Sequence, residues 1–433
     1  MITKANNFAL RDPMTALAPC SDSPVPKACA TAAVVPAAST RQLWQLPGSV
    51  AFPVFALVLF TFFFSASAPS PIFLVLQKAW HFSPSMLTVA FAIYAVALLA
   101  SLLVAGSLSD HVGRRPVLIA SMLLQGSAMA AFVSAESIGG LIVARIVQGI
   151  ATGMATGAMT AAVVEAAPES KKKLGATLSS VAPLAGLALG ALLTGVAVQL
   201  SADPTTVVFS TLTAMFLLGA VAVFFTPESV TRRPGAWASL IPRVSVPARA
   251  RPDFMRALPV FITVWALAGL YLALAPSMML HLFHAGGGFM GGLTIAVLSG
   301  VGAAAPYLLS RFVPVKAVVF GAIAMAFGTA FLMVAVYLQS LVLFLGATAI
   351  AGVGFGGSFS ALLQILAPQA APQERGELFA AIFVACYLAF SVPAMIAGLL
   401  VTPLGLQPTV EGYAIALIAL ASFGALLQWR SMK

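Results

Sequence analysis

The feature that most constrains the fold is a succession of twelve apolar segments that fills the chain from residue 50 onward. A helix of about 20 apolar residues crosses the hydrocarbon core of a bilayer. Soluble domains carry about 25% charged residues, whereas this chain has 8% charged and 61% hydrophobic residues. We therefore expect an all-α integral membrane protein. Its twelve predicted transmembrane helices are 50–76, 84–105, 116–134, 138–164, 175–200, 206–225, 258–280, 289–309, 316–337, 341–366, 378–400 and 410–429.

The segments form two groups of six, separated by a stretch that is polar, basic and rich in Pro. We expect an N-terminal six-helix bundle over 48–225, a cytoplasmic linker over 226–257 and a C-terminal six-helix bundle over 258–433. Residues 1–47 are rich in Ala, Pro, Ser and Thr, and this composition predicts a disordered cytoplasmic tail.

A faint repeat indicates that the two bundles are pseudo-symmetric. Gly149-Ile-Ala-Thr-Gly153 in the fourth segment resembles Gly352-Val-Gly-Phe-Gly356 in the tenth. Duplicated six-helix halves with a substrate site between them are common among secondary transporters. Twelve apolar helices could also arise without duplication.

The distribution of basic residues predicts the topology. With the N-terminus placed in the cytoplasm, 20 of the 22 Lys and Arg residues lie in cytoplasmic segments. Lys78 alone is external, and Arg145 lies within a segment. The positive-inside rule then places both termini in the cytoplasm of a multi-pass protein of the plasma (inner) membrane. The same rule accounts for the net charge of +10, so we expect no nucleic-acid partner.

A charged loop joins the second and third segments, with the sequence Gly106-Ser-Leu-Ser-Asp-His-Val-Gly-Arg-Arg-Pro116. Its spacing resembles the signature loop between helices 2 and 3 of the major facilitator superfamily, although His111 stands where the family more often has Arg. The resemblance implies two six-helix bundles that work by alternating access. It also implies a role in conformational gating for Gly106, Leu108, Asp110, Gly113, Arg114 and Arg115. An ordinary polar turn between two membrane helices is the alternative.

Arg145 is the only basic residue in the interior of a predicted segment, since Lys316 stands at the very start of the ninth; a cation in the interior is costly and usually faces a cavity or a partner. The sequence Arg145-Ile-Val-Gln-Gly149 resembles the R-x-x-Q-G motif of helix 4 in the same family. The resemblance implies a role in proton coupling or in binding substrate anions for Arg145, Gln148 and Gly149. The alternative is an arginine near the outer helix end whose long stem reaches the lipid headgroups.

The fifth segment contains Pro183, Gly186 and Gly190 in a pattern similar to the helix 5 motif of proton-coupled exporters, with Ala182 in place of a glycine. This pattern favours export. No acidic residue lies in the middle of a segment, although a buried acid is the usual proton carrier. This absence argues against standard proton antiport and leaves Glu165, Glu377 and His81 as second-choice carriers, of which Glu165, at the inner end of the fourth segment, lies nearest to a segment.

The predicted cavity is apolar and partly aromatic, because few amides lie within the segments. A sugar site would need many hydrogen-bonding groups. The candidate cavity residues, each of which could instead serve packing, are Tyr94, Trp265, Tyr271, Gln364 and Tyr387.

These features predict a secondary active transporter that moves a small hydrophobic or amphipathic solute, by proton-coupled efflux. A proton-linked importer or facilitator of small organic acids, with Arg145 binding the carboxylate, is the first alternative. A non-transporting membrane receptor or a polytopic membrane enzyme is an alternative of another class. The enzyme is disfavoured because the four His and three Cys residues form neither an HExxH nor a CxxC pattern. We expect no catalytic residue, metal or cofactor. The expected partners are the solute, protons and the lipid bilayer, and the protein is expected to be a monomer.

Overall fold

The computed structural model describes residues 47–231, 233–285, 288–371 and 373–432, and nearly all of these residues are helical. The predicted tail falls almost wholly outside these ranges. In chain order the helices are α1 (Gly48–Ser67), α2 (Pro69–Trp80), α3 (Pro84–Ala105), α4 (Ser109–Val112), α5 (Arg114–Val133), α6 (Ile138–Ala166), α7 (Lys172–Leu200), α8 (Pro204–Phe224), α9 (Arg251–His281), α10 (Gly288–Leu308), α11 (Pro314–Tyr337), α12 (Leu341–Leu366), α13 (Arg375–Leu404) and α14 (Leu406–Arg430).

Twelve stretches in the described part of the chain are long and apolar enough to cross a membrane, and they coincide with the twelve predicted segments. The prediction of an all-α membrane protein is confirmed. Helices α1 and α2 together form the first stretch, Val50–Trp80. It is interrupted at Ala68, because Pro69 and Pro71 lack the backbone N–H groups that would continue the helix.

The second half begins earlier than the sequence predicted. Helix α9 starts at Arg251, whereas the linker was expected to continue to residue 257. Pro252 is well suited to the first helical turn, and Asp253 lies in that turn, where a carboxylate is favourable. These polar residues form a first turn of the helix that hydropathy alone assigns to a loop.

The loops alternate between two ends of the molecule. We call the end with the 106–113 loop and the 225–250 segment the motif face, and the end with residues 81–83, 134–137 and 201–203 the opposite face. At the motif face, α4 packs against α5 and α6 of its own half.

The two halves meet through α7 with α10 and through α3 with α13. Near the opposite face, Gly398 of α13 packs so closely on the Thr88 side chain of α3 that a Cβ would not fit. The Ser70 hydroxyl of α2 donates a hydrogen bond of 2.6 Å to the carbonyl of Leu272 in α9, and this bond is buried. The halves are therefore joined at the opposite face in this conformation.

Candidate functional site

Arg145 lies inside the N-terminal half, with 1% of its surface exposed. It is the largest of the side chains that are essentially fully buried in the described chain. Its Nε donates to the carbonyl of Ala90 at 3.1 Å, and its Nη1 donates to Oε1 of Gln148 at 2.7 Å. The alternative in which Arg145 reaches the lipid headgroups does not agree with this burial.

Gln148 connects Arg145 to the break in the first span. Its Nε2 donates to the carbonyl of Ser65 at 2.8 Å. In a continuous helix that carbonyl would accept from the residue four positions on, which here is Pro69 and has no N–H. The amide of Gln148 therefore supplies the donor that the proline removes, and it couples α6 to α1.

Three aromatic rings surround the guanidinium of Arg145. Its Cζ lies 4.3 Å from the ring centre of Tyr94, 5.4 Å from that of Phe91 and 5.7 Å from that of Phe73. Ring faces attract cations, and the attraction grows when both groups are desolvated. Sequence reasoning missed Phe73 and Phe91, because nothing in 30 phenylalanines marks the two that reach an arginine through tertiary packing.

No carboxylate pairs with Arg145 among the residues that the structure describes. All five ion pairs found there lie near the motif face or in the adjoining linker. A buried charge normally requires a partner, and here carbonyl oxygens, an amide and aromatic rings supply the compensation. The N-terminal half thus holds a net positive charge at membrane depth.

Gln125 extends this polar centre, although it belongs to none of the motifs identified in the sequence. Its side chain is fully buried, and its Nε2 donates to the Ser65 hydroxyl at 2.9 Å. Its Oε1 has no hydrogen-bond partner. Because an unsatisfied buried acceptor costs about 1–3 kcal/mol, this oxygen is a position where a donor from water or a solute would be favourable.

The C-terminal half contributes an aromatic cluster. The Trp265 ring lies 4.8 Å from that of Tyr387 and 5.9 Å from that of Phe359, both at steep angles. The indole Nε1 of Trp265 is buried without a hydrogen-bond partner. Trp265 and Tyr387, two of the predicted cavity residues, are thus in contact, and the unpaired indole N–H is a donor that a solute could use.

Two other predicted cavity residues lie elsewhere. Tyr271 is 1% exposed, and its hydroxyl is 2.8 Å from the Thr348 hydroxyl. It is therefore enclosed by the packing of α9 on α12. Gln364 is exposed within one turn of the end of α12, and its amide nitrogen is 3.5 Å from the Ser360 hydroxyl. It lies near the motif face rather than at mid-membrane.

The charged loop forms a connected cluster at the motif face. Arg114 contacts Asp110 at 2.5 Å and Glu165 at 3.2 Å, and it donates to the Ser109 hydroxyl at 2.6 Å. The Ser229 hydroxyl, from the linker, donates to Glu165 at 2.6 Å. The cluster therefore ties α4, α5, α6 and the linker together.

Glu165 and Arg145, predicted together as coupling or substrate residues, are separated. They lie twenty residues apart on α6, which corresponds to about 30 Å along the helix. Glu165 belongs to the loop cluster and Arg145 to the polar centre. The sequence could not separate the two roles, because Arg114 reaches Glu165 only through the packing of α5 on α6.

A linker residue that the sequence did not single out caps α5. The two carboxylate oxygens of Glu228 accept the backbone N–H groups of Arg114 and Arg115 at 2.8 and 3.0 Å. A carboxylate at a helix N-terminus is favourable because the first N–H groups lack internal partners. Gly113, at φ 113°, allows the turn, and a Cβ there would lie 2.6 Å from the Glu228 carboxylate.

The other loop residues serve packing. The guanidinium of Arg115 lies 4.6 Å from the ring centre of Phe224. Leu108 packs against the hydrophobic core. Gly106 ends α3 with helical dihedral angles, so its backbone does not require a glycine.

The glycines of the two intramembrane motifs bring helices together. A Cβ at Gly149 would lie 2.5 Å from the carbonyl oxygen of Tyr94, so α6 and α3 touch beside Arg145. Gly186 and Gly190 pack in the same way against the backbone of α1. Pro183 lies inside α7, one turn before Gly186. Within the described residues no His, Cys, Asp and Glu side chains form a group that could hold a metal ion.

Comparisons with known proteins agree with this architecture. The family model described as Major Facilitator Superfamily matches residues 55–394. No curated protein sequence matches the chain.

Among solved structures, an inward-facing, unoccupied bacterial homologue of the human lysosomal transporter Spinster aligns with a TM-score of 0.71 and 13% identity, covering 88% of this chain and 97% of that one. The inward-open xylose transporter XylE from E. coli aligns with a TM-score of 0.70 and 16% identity, covering 87% and 96%. The human organic anion transporter MFSD10 aligns with a TM-score of 0.63 and 16% identity, covering 88% and 100%.

At these identities the solved structures establish the fold alone. The family match spans most of the chain and includes both the charged loop and the Arg145 motif. The chain is therefore a membrane transporter and belongs to the major facilitator superfamily.

Proposed function

We propose that this transporter moves a small amphipathic organic anion across the membrane by alternating access, with Arg145 providing the positive charge that selects it. The observation that carries the proposal is the burial of Arg145 without a carboxylate partner among the described residues. A cation at membrane depth is costly unless it has a function or a counter-charge. A substrate carboxylate would supply that counter-charge, and the planar guanidinium would bind it through paired hydrogen bonds.

The surroundings of Arg145 support an amphipathic solute over a sugar. Tyr94 lies against the guanidinium, and Trp265 and Tyr387 present an aromatic surface in the C-terminal half. Their rings are suited to an apolar or aromatic body. The similar solved structures include transporters named for xylose and for organic anions. The fold alone therefore does not separate sugars from organic anions, and the choice between them rests on the residues of the site.

The conformation supports the proposed mechanism. The halves are joined at the opposite face by Ser70 and Leu272 and by Thr88 and Gly398. Two similar structures are inward-facing or inward-open. We propose that the motif face is cytoplasmic, with both termini in the cytoplasm, that this conformation is inward-facing, and that the protein acts as a monomer in the plasma membrane.

Proton-coupled efflux of a neutral amphipathic solute is the second candidate. It is favoured by the helix 5 motif and would use Glu165 as the proton carrier. Glu165 contacts Arg114 and Ser229, so protonation would weaken the loop cluster and could change the conformation. This mechanism gives Arg145 no direct contact with the solute.

Counterflow in proteoliposomes tests the proposal, with indole-3-acetate and its neutral amide as a matched pair. We expect exchange of the carboxylate but not of the amide, loss of exchange in Arg145→Gln, and normal exchange in Arg311→Gln. Arg311 is an exposed residue outside the polar centre and controls for the loss of a cation. Exchange of the amide alone, driven by a pH gradient and lost in Glu165→Gln, would instead establish proton-coupled efflux of a neutral solute.

A further inference from the structure

A cavity of about 320 Å³ opens between the two halves at the opposite face. Its walls come from α2 and the start of α3 in one half, and from α9, α13 and the start of α14 in the other. Six apolar residues line it: Leu74, Leu87, Leu274, Leu280, Val401 and Leu406. Known small-molecule pockets measure about 300–1,000 Å³, so this cavity lies at the lower end of their size range.

The polar groups of this cavity lie on α2 and α9. Gln77 and Lys78 face Ser277 and His281 across the boundary between the halves. No acidic residue lines the cavity, and Lys78 forms none of the ion pairs found in the described residues. The cavity therefore combines an ammonium group without a carboxylate partner and an apolar interior.

The cavity lies on the far side of the closed contact from the polar centre. Leu74, in its wall, is one helical turn beyond Ser70, whose hydroxyl bonds to Leu272. Leu274, on the other wall, is two residues beyond Leu272. Both walls of the cavity therefore adjoin the contact that joins the halves at the opposite face.

We propose that this cavity is a second binding site, an antechamber that holds an amphipathic carboxylate at the opposite face while the contact between the halves is closed. Lys78 binds the carboxylate, Gln77, Ser277 and His281 offer further polar contacts, and the leucines cover the apolar body. The inference rests on the proposed function for its ligand class, because the same solute would pass from this cavity to Arg145.

Thiol protection in nanodiscs tests the antechamber directly. The starting protein is a full-length variant in which Ser277→Cys is the sole cysteine, with Cys20, Cys29 and Cys386 replaced. The rate at which a charged maleimide labels the introduced thiol is measured in the presence of indole-3-acetate, in the presence of indole-3-acetamide and without either compound. A second variant carries the thiol at Ser134 instead, an exposed residue of the same face outside the cavity.

We expect the carboxylate to slow labelling at residue 277 while the amide does not, and neither compound to affect residue 134. At a carboxylate concentration that slows labelling about fivefold, adding Lys78→Gln should reduce the slowing to between about fourfold and twofold, because an exposed ion pair contributes up to about a factor of five in affinity. Lys78→Arg should preserve the protection. Equal protection by the amide, or full protection in Lys78→Gln, would overturn the proposal.

The Arg145→Gln variant separates this inference from the proposed function. We expect its thiol at residue 277 to be protected as in the parent, because the antechamber lies outside the polar centre. Protection that disappears in Arg145→Gln would mean that transport movements, and not a bound carboxylate, shield the thiol, and this would refute the antechamber. Protection that persists in a protein unable to exchange the carboxylate would support the antechamber and refute only the transport proposal.

Discussion

At the scale of single residues, the polar centre holds the guanidinium of Arg145 with a backbone carbonyl, the amide of Gln148 and aromatic rings. The motif identified Arg145 and Gln148, and they are hydrogen-bonded at 2.7 Å. Asp110 contacts Arg114 across the turn at Gly113. The rings of Phe73 and Phe91 could not be assigned, because they reach Arg145 from helices that only tertiary packing brings together.

Arg145→Lys should keep the charge and lose most of the function. A lysine ammonium lacks the planar fork that lets Arg145 bond to Ala90 and Gln148 and still face an anion. Loss of one charge-assisted hydrogen bond costs about 1.5–3 kcal/mol, so we expect counterflow of indole-3-acetate to fall about tenfold or more. Wild-type exchange by the lysine variant would mean that only the charge matters.

Gly149→Val should destabilise the protein. Its Cβ would lie 2.5 Å from the Tyr94 carbonyl and 2.8 Å from the Ala97 Cβ, and backbone cannot yield as a flexible side chain can. Overpacking of this kind costs about 1–3 kcal/mol. We expect a lower melting temperature in detergent than for Gly346→Val, whose added Cβ meets no atom within 4 Å. Equal melting temperatures would show that α3 and α6 are not packed as described.

At the scale of helices, the number and order of the membrane spans could be predicted from the sequence, whereas the breaks and exact ends of the helices could not. All twelve spans were recognised from the length of their apolar runs, because a helix must have about 20 apolar residues to cross the bilayer. The early start of α9 was missed because Arg251, Asp253 and Arg256 look like linker residues. The prolines gave a signal that hydropathy does not use. Each one frees the carbonyl four residues earlier, and Gln148 and Ser70 bind two of these carbonyls.

Ser70→Ala should open the opposite face. Pro276 has no N–H for the Leu272 carbonyl, so the buried Ser70 hydroxyl is the donor that this carbonyl receives from the other half. An unsatisfied buried acceptor costs about 1–3 kcal/mol, which shifts a two-state equilibrium by roughly five- to hundredfold. Spin labels at residues 136 and 339 should report longer distances in Ser70→Ala than in Ser127→Ala, whose hydroxyl bonds within its own helix. Identical distance distributions in the two variants would show that the Ser70–Leu272 hydrogen bond does not hold the opposite face closed.

Asp110→Asn should favour the conformation that is open at the motif face. The resemblance of the charged loop to the family signature implies that this acid faces the start of the eleventh membrane span, α13, which begins at Arg375. That attraction, worth about 0.3–2 kcal/mol, exists only when the motif face is closed. In the present conformation Asp110 instead pairs with Arg114. The distance between spin labels at residues 104 and 376 should therefore increase in Asp110→Asn, and transport should be slower. Unchanged distances and rates would show that the loop is only a charged turn with no role in gating.

At the scale of the whole molecule, two halves joined at one face suit a transporter that exposes its centre to each side in turn. The sequence predicted the two groups of six helices, but it could not predict which face would be closed, because the close contact of Thr88 with Gly398 depends on how the halves dock. The proposed orientation in the membrane rests on the distribution of Lys and Arg alone. Single cysteines at residues 240 and 370 should resist an impermeant thiol reagent in intact cells, whereas one at residue 285 should react; the reverse pattern would invert the topology.

The central claim is that Arg145 selects an anion, and ligand-induced thermal stabilisation of the purified protein tests it without requiring transport. A ligand that binds the folded state raises its stability by mass action. Matched carboxylates and amides of aromatic acids should be compared on a Lys78→Gln protein that keeps Arg145 and on the double variant with Arg145→Gln, so that the contribution of the antechamber is reduced and equal in both. We expect at least one carboxylate to raise the melting temperature where its amide does not, and only when Arg145 is present. Stabilisation by the amides alone, or equal stabilisation of the Arg145→Gln protein by the carboxylates, would contradict the account.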